Sequence, residues 1–124
     1  MDFIKGDTLA VPFVLYNNLR KVVTKMKKEI LVFIFNGYAD WEPAYVCAEL
    51  NSSDTDYVVR TISLDKNPKV SMGGFRVLPD YAVDDYPAKF SLLILAGGNA
   101  WAEQKNNDVF PLLNMQLKII FQLG

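Results

Sequence analysis

The chain has 124 residues, of which 51% are hydrophobic, so it can build one modest core and forms one domain or a piece of one. Thirteen Lys and Arg against fourteen Asp and Glu give a net charge of -1, without the basic excess that a nucleic-acid-binding surface requires. The chain has a single cysteine, Cys47, which excludes an intrachain disulfide and a multi-cysteine zinc site. It has no histidine, so the commonest general base is absent. We therefore expect no nucleic-acid partner, no metal and no cofactor, and a reducing cytoplasm as the location.

Residues 1–25 precede the regular part of the sequence and show neither helical nor strand periodicity. Their apolar run, Leu9 to Tyr16, is too short for the ~20 residues that span a bilayer, and the positive charges follow it, unlike those of a signal peptide. Pro12 and the lack of an amphipathic face also argue against a membrane tether. Met26 resembles a second start, because the preceding codons can be written with a purine-rich ribosome-binding sequence. We predict a translated leader, and the alternative is a real N-terminal extension whose apolar run packs on the domain.

From residue 26 the pattern predicts strands that alternate with helices. Three apolar segments are predicted strands: Glu29 to Phe35, Tyr57 to Leu64 and Phe90 to Leu95. A helix is predicted from the N-cap Asp40 to about Asn51, and another from about Asp108. A hairpin is predicted at Val70 to Leu78, which contains a Gly-Gly turn. This order indicates a doubly wound α/β sheet, whose ligand sites lie beyond the carboxyl ends of its strands.

Two loops at that edge, residues 36–42 and 96–101, contain the candidate site. Glu42 lies one turn into the helix after the first strand, where desolvation would raise the pKa of a carboxyl group and let it share a proton with a nucleophile. The alternative is that Asp40 and Glu42 only cap the helix. Gly97 and Gly98 follow a buried strand, so their N–H groups could form an oxyanion hole, the alternative being a tight turn.

Three further residues, Cys47, Trp41 and Trp101, have both a functional and a structural interpretation, and the structural one is the simpler. Cys47 falls among apolar residues of a predicted helix, which favours a buried, inert thiol over a nucleophile. Trp41 and Trp101, one in each loop, could form the walls of a pocket, although aromatic residues at such edges usually serve packing. We therefore assign a candidate catalytic role only to Glu42, Gly97 and Gly98.

Three segments, KKEILVFIFNGYADWEPAYVCAEL, VSMGGFRVLPDYAVDDYP and FSLLILAGGNAW, resemble the PfpI-like intracellular protease family of the class I glutamine amidotransferase-like superfamily. The resemblance covers residues 26–113 and implies a flavodoxin-like, doubly wound parallel sheet, of which this chain holds the N-terminal part only. It implies that Glu42 corresponds to the acidic partner of a nucleophilic cysteine, and that Gly97 and Gly98 supply part of the oxyanion hole. It also implies a small-molecule or peptide amide substrate in the full-length relatives.

The chain departs from this family after the two glycines. The nucleophile elbow would lie some tens of residues further on, in a segment that these 124 residues lack, and Ala96 stands where the family commonly has proline. Residues 114–124 are predicted to be an aberrant tail with no further strand. The reason is that these residues can be back-translated into an AT-rich coding sequence. Reading that sequence in a frame shifted by one base gives Ile-Pro-Val, which in the family begins the strand that leads to the nucleophile. The alternative is a genuine short protein whose last helix continues through Leu117 and Ile120.

The expected function is that of a truncated PfpI-like domain, derived from a cysteine-dependent hydrolase and catalytically inactive as written. The alternative is a noncatalytic binding or self-association module, with a homodimer as a candidate state. Missing strands would expose the sheet edge and the apolar faces of the strands EILVFIF and FSLLIL. The same exposure predicts poor solubility or molten behaviour.

Overall fold

The computed structural model describes residues 27–114 and 117–120 of the chain. Its strands are β1 (Lys28–Phe33), β2 (Tyr57–Ser63), β3 (Lys69–Val70), β4 (Arg76–Val77), β5 (Tyr81–Ala82), β6 (Leu92–Leu95) and β7 (Leu117–Ile120). Its helices are α1 (Trp41–Leu50), the single turn α2 (Asn99–Ala102) and a 3-10 helix (Asn107–Asn114). The predicted leader lies outside the described residues.

Five strands form one parallel sheet in the order β5-β2-β1-β6-β7, and β3 and β4 form a separate antiparallel hairpin. The chain moves from β1 to β2 on one side and then returns to β6 on the other side of β1. The loops that follow β1 and β6 therefore leave the sheet at the point where the strand order reverses, which is where doubly wound sheets bind ligands. The predicted α/β fold with its parallel sheet is confirmed.

The core lies along the two central strands. Ile30 to Phe35 and Leu93 to Leu95 are each at most 4% exposed, as expected for strands covered on both faces. Val109 and Leu112 of the 3-10 helix belong to the same cluster, and the apolar face of α1 packs against it. The expectation that the central strands leave apolar faces exposed is therefore wrong.

The C-terminal part of the chain differs most from the prediction. Residues 107–114 form a 3-10 helix rather than an α-helix, with Pro111, which has no N–H to donate, inside it. Leu117–Ile120 form β7, which pairs in parallel with β6 from Leu92↔Leu117 to Leu95↔Ile120. The expectation of no further strand is wrong, and so is the alternative of a helix through these residues. An apolar segment with two adjacent isoleucines fits a strand better than a helix.

Candidate active site

The carboxylate of Glu42 reaches across the crevice from α1 to the loop after β6. Its Oε1 accepts a hydrogen bond of 2.8 Å from the N–H of Gly97, and the side chain is half-buried. The bond brings together two of the three residues that the sequence proposed for the site. A carboxylate held by one backbone donor keeps its second oxygen for another group in the crevice.

The two glycines have different surroundings. Gly97 is buried, donates its N–H to Glu42 and accepts a hydrogen bond of 2.9 Å from the N–H of Ala39. The N–H of Gly98 has no acceptor within the described part of the chain. Of the two predicted oxyanion donors, Gly98 is thus the one whose N–H is available, because that of Gly97 is committed to Glu42.

Lack of space, rather than backbone conformation, requires glycine at position 98. A Cβ there would lie 2.6 Å from Cε2 of Phe35 and 3.1 Å from the carbonyl oxygen of Gly37. The φ of 160° is close to extended and open to any residue. Phe35 cannot easily move aside, since its ring packs against Phe33 and Trp101 at centroid distances of 5.7 and 5.6 Å.

Asp40 occupies the N-cap position of α1, but its side chain makes no cap hydrogen bond. Its Oδ2 instead accepts hydrogen bonds from the hydroxyl of Ser71 at 2.5 Å and from the N–H of Gly73 at 3.3 Å. Asp40 does lie at the N-cap position and Glu42 in the first turn of α1, but both side chains bind segments distant in sequence, so the interpretation that they only cap the helix is wrong.

The hairpin holds the loop between β1 and α1 by a series of backbone contacts. The N–H of Val70 donates to Oδ1 of Asn36, the N–H of Gly37 to the carbonyl of Val70, and the N–H of Met72 to the carbonyl of Tyr38, all at 2.8–2.9 Å. Together with the bond from Ala39 to the loop after β6, these contacts fix where α1 begins. The direction in which Glu42 projects follows from that fixed start.

Cys47 lies further along α1 and is half-buried. Burial raises its pKa from an ordinary 9.0 to about 11, so the thiol stays protonated at neutral pH. It follows Glu42 by five residues, which places it about 140° around the helix, on another face. The prediction of an inert thiol is supported by this environment.

The two tryptophans have different surroundings. Trp41 is 57% exposed, whereas Trp101 stacks on Phe110 and donates its indole N–H to the carbonyl of Ala96 at 2.7 Å. Trp101 therefore serves packing, the alternative that the sequence analysis left open.

A cavity of about 540 Å³ is lined by residues of the loop after β1, of β2 and the segment after it, of the hairpin, and of α2 and the segment after it. Polar side chains that line it include the buried Lys69 and Asn106, neither of which the sequence analysis selected. Asn106 belongs to the polar run Lys105 to Asp108, which is typical of a solvated loop, and Lys69 follows another such run. Their burial is a tertiary effect that local composition does not signal.

Within residues 27–114 and 117–120, no group of three or more His, Cys, Asp or Glu could hold a metal ion. The same residues include no helix of the length and apolarity that a membrane crossing needs. The absence of a metal or cofactor stays a prediction.

Comparison with known proteins identifies relatives of this chain. Residues 28–116 match the DJ-1/PfpI family. The uncharacterized protease YdeA of Bacillus subtilis (strain 168) is 42% identical over 96 residues, covering 77% of this chain and 45% of that relative. The uncharacterized protease YoaZ of the same organism is 28% identical over 99 residues, covering 74% of this chain and 47% of that relative. The chain thus spans about half the length of the curated relatives it matches.

Solved structures give the same picture. The thiJ/pfpI family protein from Bacillus anthracis is similar with a TM-score of 0.65 at 31% identity, covering 77% of this chain and 50% of that one. The DJ-1 superfamily protein Atu0886 from Agrobacterium tumefaciens has a TM-score of 0.64 at 27% identity, with coverage of 75% and 52%.

Proposed function

We propose, because the chain belongs to the DJ-1/PfpI family, that it derives from a cysteine-dependent enzyme acting on amide bonds and retains the acid and the backbone donor of that site. In that ancestral site, Glu42 exchanges a proton with a nucleophilic thiol other than Cys47, and the N–H of Gly98 stabilises the oxyanion of the tetrahedral intermediate. Gly97 orients Glu42. The observation that carries the proposal is the 2.8 Å hydrogen bond from Gly97 to Glu42 across the crevice.

We also propose that these 124 residues do not perform the reaction by themselves. Cys47 is the single cysteine, and its raised pKa and its position on α1 both argue against attack on a substrate beside Glu42. The same proposal includes an amide substrate, a cytoplasmic location and a departure from the family pattern after residue 113. Sequencing the gene across the codons for residues 113–124, in all frames, tests that departure.

A chimaera tests the role of Glu42 without knowledge of the substrate. Residues 1–113 of this chain are joined to the remaining half of the YdeA relative, and the alkylation rate of the supplied cysteine is followed against pH. If the supplied cysteine shares a proton with Glu42, Glu42→Ala should change the thiol pKa and with it the pH dependence of alkylation. Glu49→Ala, on the exposed face of α1, is the matched control. An unchanged thiol pKa in the Glu42→Ala chimaera would remove Glu42 from the proposed site.

Inactivity of the present chain is tested by incubation with a fluorogenic peptide amide. We expect no turnover above buffer for the chain or for Cys47→Ala. Turnover that disappears in Cys47→Ala would contradict the proposal.

Self-association is the second candidate function. Several large apolar side chains are exposed on the hairpin and on α1, including Tyr45 at 76% and Phe75 and Leu78 at 68% each. Burial of such side chains is the main driving force for association of two copies. Light scattering over a wide range of concentrations should show a dimer that Phe75→Ser weakens and that Phe110→Ser, at another exposed apolar position, does not. A monomer at every concentration would exclude this function.

A further inference from the structure

Two carboxylates at the start of α1 bind different segments of the chain. Glu42 accepts the hydrogen bond from Gly97, in the loop after β6, at 2.8 Å. Asp40, two residues earlier, binds the hairpin through its Oδ2, which accepts from the hydroxyl of Ser71 at 2.5 Å and from the N–H of Gly73 at 3.3 Å. Side chains therefore attach the start of the helix both to the hairpin and to the loop after β6.

The helix does not offer Asp40 the donors that an N-cap residue normally uses. Those donors are the N–H groups of the second and third helical residues. In α1 the second residue is Glu42, whose N–H donates to the carbonyl of Ala39 at 3.2 Å, and the third is Pro43, which has no N–H. Asp40 makes no cap hydrogen bond, so the contribution of its carboxylate is the attachment to the hairpin.

The hairpin holds this carboxylate in a well-defined turn. The side chain of Ser71 is buried, and its oxygen accepts from the N–H of Phe75 at 3.0 Å while its hydroxyl proton is donated to Asp40. Gly73 allows the close approach of the carboxylate, because a Cβ there would lie 2.6 Å from Oδ2 of Asp40. Both donors are thus fixed by the turn of the hairpin before the carboxylate meets them.

The geometry of Glu42 depends on this attachment. The backbone contacts between the hairpin and residues 36–38 end before the helix, whereas Asp40 directly precedes its first residue. Without the carboxylate of Asp40, the first turn is free to shift against the loop after β6. A hydrogen bond weakens steeply with such a shift, so the contact from Gly97 to Glu42 would lengthen or break.

We propose that Asp40 is a positioning residue. Through its bonds to Ser71 and Gly73 it fixes the first turn of α1, so that the carboxylate of Glu42 meets the N–H of Gly97. This inference rests on the function proposed for Glu42. Its test measures the geometry of the crevice rather than catalysis, so that each of the two proposals can fail without the other.

The test uses the ¹⁵N-labelled 124-residue chain and the amide proton of Gly97, whose chemical shift reports the hydrogen bond to Glu42. Asp40→Ala should move this resonance upfield by about half or more of the shift that Glu42→Ala produces. Asp40→Asn should leave it in place, because both bonds end on Oδ2 and one carbonyl oxygen can accept both. An unmoved resonance in Asp40→Ala would overturn the proposal. An equal shift in Asp40→Asn would also overturn it, since the charge and not the two bonds would then be responsible.

Asp80 provides the matched control. Its Oδ2 also accepts from one hydroxyl and one backbone N–H, both of Thr61, at 3.2 and 2.9 Å. Neither residue belongs to the two loops of the crevice. Asp80→Ala should therefore lower the free energy of unfolding and leave the Gly97 resonance unmoved. A shift equal to that of Asp40→Ala would overturn the proposal, because loss of stability alone would then explain both.

Gly73→Ala decides if Asp40→Ala does not fold. Gly73 is exposed, and its added Cβ would push the carboxylate of Asp40 away from the hairpin, so the Gly97 resonance should again move upfield. An unmoved resonance would overturn the proposal. In the chimaera with the YdeA half, Asp40→Ala should change the pH dependence of alkylation in the same direction as Glu42→Ala. A Gly97 resonance that moves while alkylation stays unchanged in both variants would support the positioning by Asp40 and remove the function proposed for Glu42.

Discussion

Replacing Glu42 by Gln and by Ala separates two contributions of its carboxylate to the folded state. The carboxylate places a negative charge in the first turn of α1, and its Oε1 accepts the hydrogen bond from Gly97 at 2.8 Å. Glu42→Gln keeps an acceptor and removes the charge. Glu42→Ala removes both and leaves the N–H of the buried Gly97 without a partner.

The two losses have different magnitudes. A hydrogen bond to a charged group contributes about 1.5–3 kcal/mol and a neutral one about 0.5–1.5 kcal/mol, so Glu42→Gln should lower the free energy of unfolding by about 1 kcal/mol. An unpaired buried N–H costs about 1–3 kcal/mol, and loss of the charge from the helix N-terminus adds about 0.3–1 kcal/mol. Glu42→Ala should therefore cost about 2–3 kcal/mol.

Urea unfolding followed by circular dichroism measures both free energies, and the amide proton of Gly97 reports the hydrogen bond directly. Its exchange should accelerate and its resonance should move upfield in Glu42→Ala. The control is Glu49→Ala, because Glu49 lies at the other end of α1 and its carboxylate accepts a hydrogen bond of 3.2 Å from the exposed hydroxyl of Tyr45. A cost for Glu42→Ala within about 0.5 kcal/mol of the control, the usual range of surface substitutions, would refute this reasoning.

The remaining predictions concern the crevice and α1. Gly98→Ala should destabilise the fold by about 1–3 kcal/mol in urea unfolding, because its Cβ would lie 2.6 Å from the ring of Phe35. Ser71→Ala should cost about 1–2 kcal/mol in the same assay, since the N–H of Phe75, which donates to the Ser71 hydroxyl at 3.0 Å, loses its acceptor. Cys47, with a folded-state pKa near 11 against an ordinary 9.0, should react slowly with iodoacetamide at pH 8 and faster as the pH approaches 11. The unfolded chain loses its thiol proton first, so stability should fall as pH rises from 9 to 11, and less so in Cys47→Ala.

Each of these variants has a control. Asn99→Ala, next to Gly98 but exposed, should be close to neutral, and an equal loss in both would point to the helix start rather than to the clash. Ser53→Ala, at an exposed turn, should also be neutral, and parity with Ser71→Ala would mean that the Ser71 hydroxyl contributes little. Rapid alkylation of the folded chain at pH 7 would contradict the environment described for Cys47.

The meeting of Glu42 with Gly97 was predictable because parallel strands impose it. Apolar runs of strand length fix β1 and β6 as central strands, and the segments after their carboxyl ends must then share one edge of the sheet. Glu42 and Gly97 could thus be placed in the same crevice from their sequence positions, and the structure joins them by a hydrogen bond. What the pattern could not give is which N–H the carboxylate takes, because that depends on side-chain rotamers and on the packing of Gly98 against Phe35.

Asp40 shows where local rules mislead. Its sequence context favours a cap, yet its carboxylate accepts hydrogen bonds from the hydroxyl of Ser71 and the N–H of Gly73 in the hairpin instead of from the helix. The tail shows the same limit: the adjacent isoleucines of LKII favour a strand, but its parallel pairing depends on the edge of β6 that the fold leaves open.

The sequence by itself determined the α/β class, the parallel sheet, the family resemblance and the packing of Cys47 among apolar residues, because each depends on local pattern or on one residue type. Tertiary structure alone decided the partners of Glu42 and Asp40, the pairing of β7 and the burial of Lys69 and Asn106 around a cavity. The physical reason is that apolar periodicity is a property of neighbours along the chain, whereas a polar group takes its partner from whichever distant segment the fold brings within hydrogen-bond distance.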